Sequence, residues 1–287
     1  MQHTLKNSIE IQGIGLHSGC TVKLVLKPAD ANSGITFKRV DIPSQPEIKA
    51  LYSQVVDTGN CTCIGDKQGN VVSTIEHLMS ALLVCGIDNV LIEIDNQEIP
   101  IMDGSAKPFY DILSKAALQE QNLPRKRIRI LKPITYTDDK GNSASLLPST
   151  ENNLHLNFNI EFPSAIVGKQ TFNDYLTATT YTEQIAQCRT FCEKYQVDYL
   201  KSIGLIKGGS LDNAVVLDGD KILNEGGFRV KNECVNHKVL DAIGDMYTAG
   251  YSVLGKLTAN KTGHYHNNLI LKALFADKTN YQIIEKE

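Results

Sequence analysis

The sequence predicts an α+β protein built from two related α/β units that face each other, and three observations carry that expectation. Two helix-like segments, Ser73 to Cys85 and Cys234 to Ala249, lie about half a chain apart, and each is closed by a glycine (Gly86, Gly250) and followed by a strand-like run. A histidine, His77 or His237, stands near the start of each helix. The 287 residues also suffice for two domains of roughly 140 residues, expected here at 1–123 and 128–287.

Taken in order, Ser8 to Ile14 and Thr21 to Lys27 alternate as strands do, and Gly13-Ile-Gly15-Leu-His-Ser-Gly19 between them reads as a turn, because its glycine spacing is not that of a dinucleotide fingerprint. Ser73 and Thr74 can cap the first helix, with Glu76 three residues after Ser73 as in a capping box. That helix is apolar nearly all round (Ile75, Leu78, Met79, Ala81, Leu82, Leu83, Val84), so it belongs between other layers. Asp88 to Ile94 reads as the next strand, and the basic run Asn122-Leu-Pro-Arg-Lys-Arg127 as a solvated connection. An amphipathic stretch from about Thr182 leads to Arg189-Thr-Phe191, and Gly208-Gly-Ser210 reads as a tight turn. The second helix has one apolar arc (Val239, Leu240, Ala242, Ile243, Met246, Tyr247) and one polar arc, and Ser252 to Leu257 follows as a strand.

Composition narrows the function classes. With 42% hydrophobic and 21% charged residues and a net charge of −3, the chain resembles an ordinary globular protein and offers no basic surface for nucleic acid. Its first residues lack a signal-peptide pattern, and the longest apolar run, Ala81 to Ile87, is too short to span a bilayer. A cytoplasmic location without stable membrane insertion is expected. Seven cysteines, an odd number, argue against a disulfide framework. Cys61 and Cys63 share a strand face, and Cys188 and Cys192 are spaced for helix packing, so all four read as small buried residues.

The polar arc carries the first chemical signal. His237 and Asp241, four residues apart, lie on one helix face and can grip one metal ion; the same spacing suits a solvated salt bridge. Glu76 and His77 are expensive in so apolar a helix unless each has a partner, a metal or a wet cleft. If His77, His237 and Asp241 share an ion, two nitrogens and one oxygen favour zinc, with a fourth position left for water and Glu76 beside it as general base. His264, in a glycine-containing loop, becomes a proton donor if Asp245 raises its pKa. Taken alone, these residues leave open a hydrogen-bonded core histidine, a surface loop histidine, a binding module with a structural metal, and a deacetylase of some other substrate.

The blocks Gly15-Leu-His-Ser-Gly19, Ser73-Thr-Ile-Glu-His-Leu78, Ile99-Pro-Ile-Met-Asp-Gly-Ser105, Arg189-Thr-Phe191, Gly208-Gly-Ser210, His237-Lys-Val-Leu-Asp-Ala-Ile-Gly-Asp245 and Gly263-His264 closely resemble, in order and over nearly the whole chain, the UDP-3-O-acyl-N-acetylglucosamine deacetylase family. The resemblance implies two sandwich domains of layered sheet and helices with the active site between them. It also implies one Zn2+ per chain and hydrolysis of the N-acetyl group of an acylated UDP-glucosamine in lipid A synthesis, the chain working as a monomer. It makes His77, His237 and Asp241 the metal ligands, Glu76 the base, and His264 the acid partner supported by Asp245. Thr190 is expected on the carbonyl oxygen and Lys238 on substrate oxygens or phosphate. An insert from about Arg189 to Ala214 is expected to enclose the acyl chain, with Phe191, Val197, Gly209, Ser210, Leu211 and Ala214 as contacts; some members carry a larger aromatic residue at the position of Leu211. Glu161 and Phe162 match an acidic-aromatic pair near the uridine, followed here by a loop of different length.

Overall fold

The computed structural model describes residues 1–286, and one sheet design appears in it twice. In the first half the strands Ile9–Ile14, Thr21–Pro28, Val90–Ile94, Ile35–Arg39 and Glu47–Lys49 lie side by side in that order. In the second half Ile134–Thr137, Ser143–Leu147, Lys256–Asn260, His155–Glu161 and Lys169–Tyr175 do the same. The pairings also match across the two sheets: antiparallel, antiparallel, parallel, antiparallel. The central strand arrives late, after a helix rather than a hairpin turn, which is why one of its two pairings is parallel. The repeat expected from the helix, glycine and strand pattern is therefore present.

Six α-helices occur among the described residues: α1 (Glu76–Val84), α2 (Lys107–Leu113), α3 (Ala178–Thr180), α4 (Lys194–Ser202), α5 (Glu233–Tyr247) and α6 (His264–Ala276). In each half a helix precedes the central strand and another follows it. Helices α1 and α2 close one core with Leu24, Phe37 and Ile92 of the first sheet, and α5 and α6 close a second with Leu156, Phe158 and Leu257. Because α1 and α5 pack on each other, the layers run sheet, helices, helices, sheet. Tyr247 at the end of α5 reaches into the first core and donates to the Ile87 carbonyl at 2.7 Å. Each half carries an insert at the same point, between its fifth strand and its buried helix. The first is a small sheet of Val55–Asp57, Cys63–Gly65 and Val71–Val72, and the second holds Phe191–Glu193, α4, Val215–Asp218 and Lys221–Ile222. Among the described residues no helix is long and apolar enough to cross a membrane.

Three expectations need correction. The capping box does not form: Thr74 adopts φ +60°, α1 starts only at Glu76, Ser73 donates to the Gln97 carbonyl, and the Glu76 carboxylate accepts from the Thr62 amide. The run Ser252 to Leu257 is two strands in different sheets, divided at Gly255, where a Cβ would lie 2.8 Å from both Ile130 and the Leu147 carbonyl. The basic run is no solvated linker, because Arg125–Ile130 is a strand with Ile128 and Ile130 buried and Arg125 paired to Asp88 at 2.6 Å. Of the two settings left open for His237 and Asp241, the solvated one is excluded, because the polar arc of α5 faces α1 and the pair is buried.

The closest approach of the two helices is at Gly244. A Cβ there would fall 2.0 Å from the Glu76 carbonyl oxygen and 2.9 Å from the Glu76 Cα. Glycine in mid-helix costs about 1 kcal/mol relative to alanine, yet only glycine lets these backbones meet. Gly244→Ala should therefore force the helices apart, since the obstacle is backbone that cannot swing aside. Overpacking costs about 1–3 kcal/mol, so thermal unfolding should show a melting temperature lower by several degrees; an unchanged value would mean that the helices separate freely.

Candidate active site

The contact at Gly244 gathers side chains from both halves. From the first turn of α1 come Glu76 and His77; from α5 come His237, Asp241 and Asp245; His264 opens α6. All six are buried. His77 Nε2 lies 3.5 Å and His237 Nε2 3.3 Å from the same oxygen, Asp241 Oδ1, and the two rings meet edge to face with centroids 5.1 Å apart. One donor atom from each of the three lies within 4.8 Å of the others.

These separations exceed an N–H···O bond of about 2.9 Å and match the edges, about 3.3 Å, of a tetrahedron whose arms are zinc–ligand distances. His237 Nδ1 is 3.0 Å from the Cys188 carbonyl, which can only accept, so the proton sits on Nδ1 and the lone pair of Nε2 points at Asp241. Burial pushes the His237 pKa down to about 3 despite the pull of Asp241, so the ring stays neutral. Asp241 is held well below the usual carboxylate range: burial opposes its ionisation, and the Lys238 ammonium 3.0 Å from its Oδ2 outweighs that. A lone pair and a carboxylate turned toward each other in a buried space repel unless a cation lies between them. The donor set thus fits a divalent metal ion.

Beside this trio, His264 Nε2 lies 3.8 Å from Glu76 Oε1 and 4.0 Å from Asp241 Oδ2. On its far side Nδ1 contacts Asp245 Oδ2 at 2.8 Å. Asp245 Oδ2 also accepts from Asn267 at 2.8 Å, and its Oδ1 from the Thr62 hydroxyl. Burial raises the Glu76 pKa against the pull of His264 and His77. For His264 burial works against protonation, but Asp245 and Glu76 outweigh it and hold its pKa up at about 9. A carboxyl group raised and an imidazole kept protonated, side by side, form an acid–base pair able to work near neutrality.

The trio opens into a cleft of about 770 Å³ under the second insert. Phe191, Val197, Gly209, Ser210, Leu211 and Ala214 all lie in its wall. Leu16, from the Gly15–Gly19 block, joins them, as do Leu200, Ile206, Val216 and Leu223, four apolar residues that no motif singled out. Thr190 borders the small space around the trio, fixed by its amide to the Gly104 carbonyl and by its own carbonyl to the Val215 amide, both at 2.8 Å. Lys238 Nζ contacts Asp241 Oδ2 at 3.0 Å and lies 5.8 Å from the centre of the Phe191 ring. Glu161 and Phe162 stand behind the wall. Glu161 pairs with Lys169 and with Lys261, a lining residue, and Phe162 packs edge-on against Phe191 with centroids 5.2 Å apart.

Two polar residues of the site escaped the motifs. Thr62 lies between the two cysteines set aside as packing residues, just before the strand Cys63–Gly65, and its neighbours drew the attention instead. Asn267, one turn after His264, reaches Asp245 by helical spacing, a relation readable only once α6 is known to begin at His264. Arg189 is buried and forks onto Glu233 at the start of α5 (2.9 and 3.2 Å), so it anchors the segment carrying Thr190.

A family model described as UDP-3-O-acyl N-acetylglycosamine deacetylase matches residues 2–276 of the chain. Three proteins named UDP-3-O-acyl-N-acetylglucosamine deacetylase are similar over almost their full length. That of Pasteurella multocida is 46% identical over 286 residues, 99% of this chain and 92% of the relative. That of Haemophilus ducreyi is 44% identical over 285 residues, covering 99% and 92%. That of Haemophilus influenzae is 44% identical over 288 residues, covering 100% and 93%. With a family model spanning nearly every residue and identities of this size, the chain belongs to the UDP-3-O-acyl-N-acetylglucosamine deacetylase family.

Proposed function

We propose that this chain is a zinc-dependent amidohydrolase that removes the N-acetyl group from UDP-3-O-(3-hydroxyacyl)-N-acetylglucosamine and releases acetate, the committed step of lipid A synthesis. One observation carries the reading: the trio His77, His237 and Asp241 meets Glu76 and His264, a carboxyl group and an imidazole both raised in pKa, at the end of a largely apolar cleft. His77, His237 and Asp241 would hold a single zinc ion, which when bound would supply Lewis acidity toward the amide carbonyl and make water acidic enough to lose a proton near pH ~7. Glu76 takes the proton of the attacking water. Thr190 holds the carbonyl oxygen as it gains charge, and His264, oriented by Asp245, protonates the amine nitrogen as the C–N bond breaks.

Lys238 meets oxygens of the sugar or its phosphates. Phe191, Val197, Leu211 and Ala214 enclose the acyl chain, with Gly209 and Ser210 at the turn beside them, while Glu161 through Lys261 and Phe162 through Phe191 shape the end assigned to the uridine. Both sets of ligands come from one chain, which supports the monomer as the working unit. Seven free thiols suit the cytoplasm. The proposed division is 1–123 and 128–287, with the ligands shared between the halves.

Glu76→Gln should keep one metal ion per chain and lose roughly 10²-fold or more in acetate release, the usual scale for a general base. Complete metal removal should abolish activity and zinc should restore it; full activity in metal-free enzyme would refute the proposal. Acetate release from UDP-linked and unlinked N-acetylated amino sugars separates this substrate from simpler ones.

Filling the cleft tests the acyl assignment. Each buried methylene contributes about 0.8 kcal/mol, close to fourfold in affinity. Ala214→Phe should therefore raise KM steeply for long acyl chains and little for short ones, and an equal rise across acyl lengths would place the chain elsewhere.

A further inference from the structure

Thr62 sits on the first insert, at the start of the strand Cys63–Gly65, and only 2% of its surface is exposed. Each of its polar groups is directed at the site. Its amide donates to Glu76 Oε2 at 3.0 Å. Its carbonyl accepts from the Ile75 amide at the entry of α1, at 3.3 Å. Its hydroxyl donates to Asp245 Oδ1 at 2.5 Å, and the hydroxyl oxygen stands 3.3 Å from His264 Nδ1.

We infer that Thr62 is a positioning residue that ties the base Glu76 and the dyad His264–Asp245 into one geometry across the two halves of the protein. The inference rests on the proton-transfer roles proposed above. Asp245 receives three donors: Asn267 and His264 from the second half on Oδ2, and the Thr62 hydroxyl from the first half on Oδ1. Without the hydroxyl, Oδ1 is a buried carboxylate oxygen lacking its short hydrogen bond, a loss the carboxylate relieves by rotating. His264 follows Asp245, and its Nε2 then shifts relative to Glu76 Oε1. Displacement of about 1 Å at a reacting group can cost about 10²-fold in rate. The β-branch of Thr62 holds the hydroxyl in a restricted χ1 well, whereas serine keeps the donor with more freedom.

The test compares Thr62→Val, which keeps the shape and removes the donor, with Thr62→Ser in the zinc-loaded enzyme, using UDP-3-O-acyl-N-acetylglucosamine as substrate. Thr62→Val should lower kcat by about 10- to 100-fold, with KM within about twofold and the same metal content. Thr62→Ser should recover most of the loss, and Thr62→Ala replaces the valine variant if that protein does not fold. A second readout is independent of turnover: at fixed pH the downfield proton resonance of His264 Nδ1–H, sheltered by Asp245, should appear in the wild type and Thr62→Ser and broaden or vanish in Thr62→Val. Unchanged kcat in Thr62→Val, loss of metal in step with kcat, or a folded Thr62→Ser that recovers nothing each overturns the inference. A wild type that releases no acetate overturns the underlying reading instead, and the Nδ1–H resonance still decides whether Thr62 fixes the dyad.

Discussion

Everything in the site depends on two helix backbones touching at Gly244 and the Glu76 carbonyl. At that distance the side chains beside the contact are brought together, so Asp241 and Asp245 of α5 lie against Glu76 and His77 of α1 without long reach or flexible linkers. Short side chains on packed helices are stiff, which suits ligands and proton carriers that must hold position to within a fraction of an ångström. The same contact excludes water, and exclusion supplies the low-dielectric setting that separates the proton affinities of Glu76, His237 and His264. Geometry and electrostatics here have one cause.

Such burial is costly, and the pattern of partners shows how the cost is contained. Buried charges are tolerated when each has hydrogen-bonding partners or a counter-charge. Asp245 has three donors, Glu76 has the Thr62 amide and the His264 ring nearby, and Asp241 has Lys238. The remaining mismatch, between the bare nitrogen of His237 and the oxygen of Asp241, is the one a cation resolves. Local rules are broken where chemistry needs them broken, while both cores around the site are conventionally apolar.

Much of this was legible in the sequence because helical spacing is a local property. His237, Asp241 and Asp245 lie on one arc by periodicity alone, and the glycine that ends each helix could be read directly. Periodicity alone left that arc open between a solvated salt bridge and a metal pair, and it is the contact with α1 that buries it. Ser73 and Glu76 have capping-box spacing, yet tertiary contact wins, since Thr62 already supplies a donor to Glu76. Thr62 itself carries no local signature; its importance lies in pairings 14 and 183 residues away. Strand breaks were equally hidden. Nothing next to Gly255 announces that its neighbours belong to different sheets, because the reason is the approach of Ile130 and the Leu147 carbonyl.

The repeated sheet design explains how the labour is divided. Two copies of one scaffold set their buried helices against each other, and that alone brings His77, His237 and Asp241 together. What differs between the halves lies in the two inserts, at equivalent places in the repeat: the first delivers Thr62 to the acid–base pair, and the second supplies the cleft wall and Thr190. Two further backbone contacts hold the second insert onto the first half, where a Cβ on Gly208 would lie 2.3 Å from the Gly15 carbonyl and one on Gly104 would lie 2.1 Å from the Asn213 carbonyl. Each of these glycines falls in a motif that sequence reading singled out for chemistry. Their constraint is nevertheless packing: they fix an insert whose lining residues remain free to change size, so the width of the cleft can vary without disturbing the proton-transfer geometry behind it.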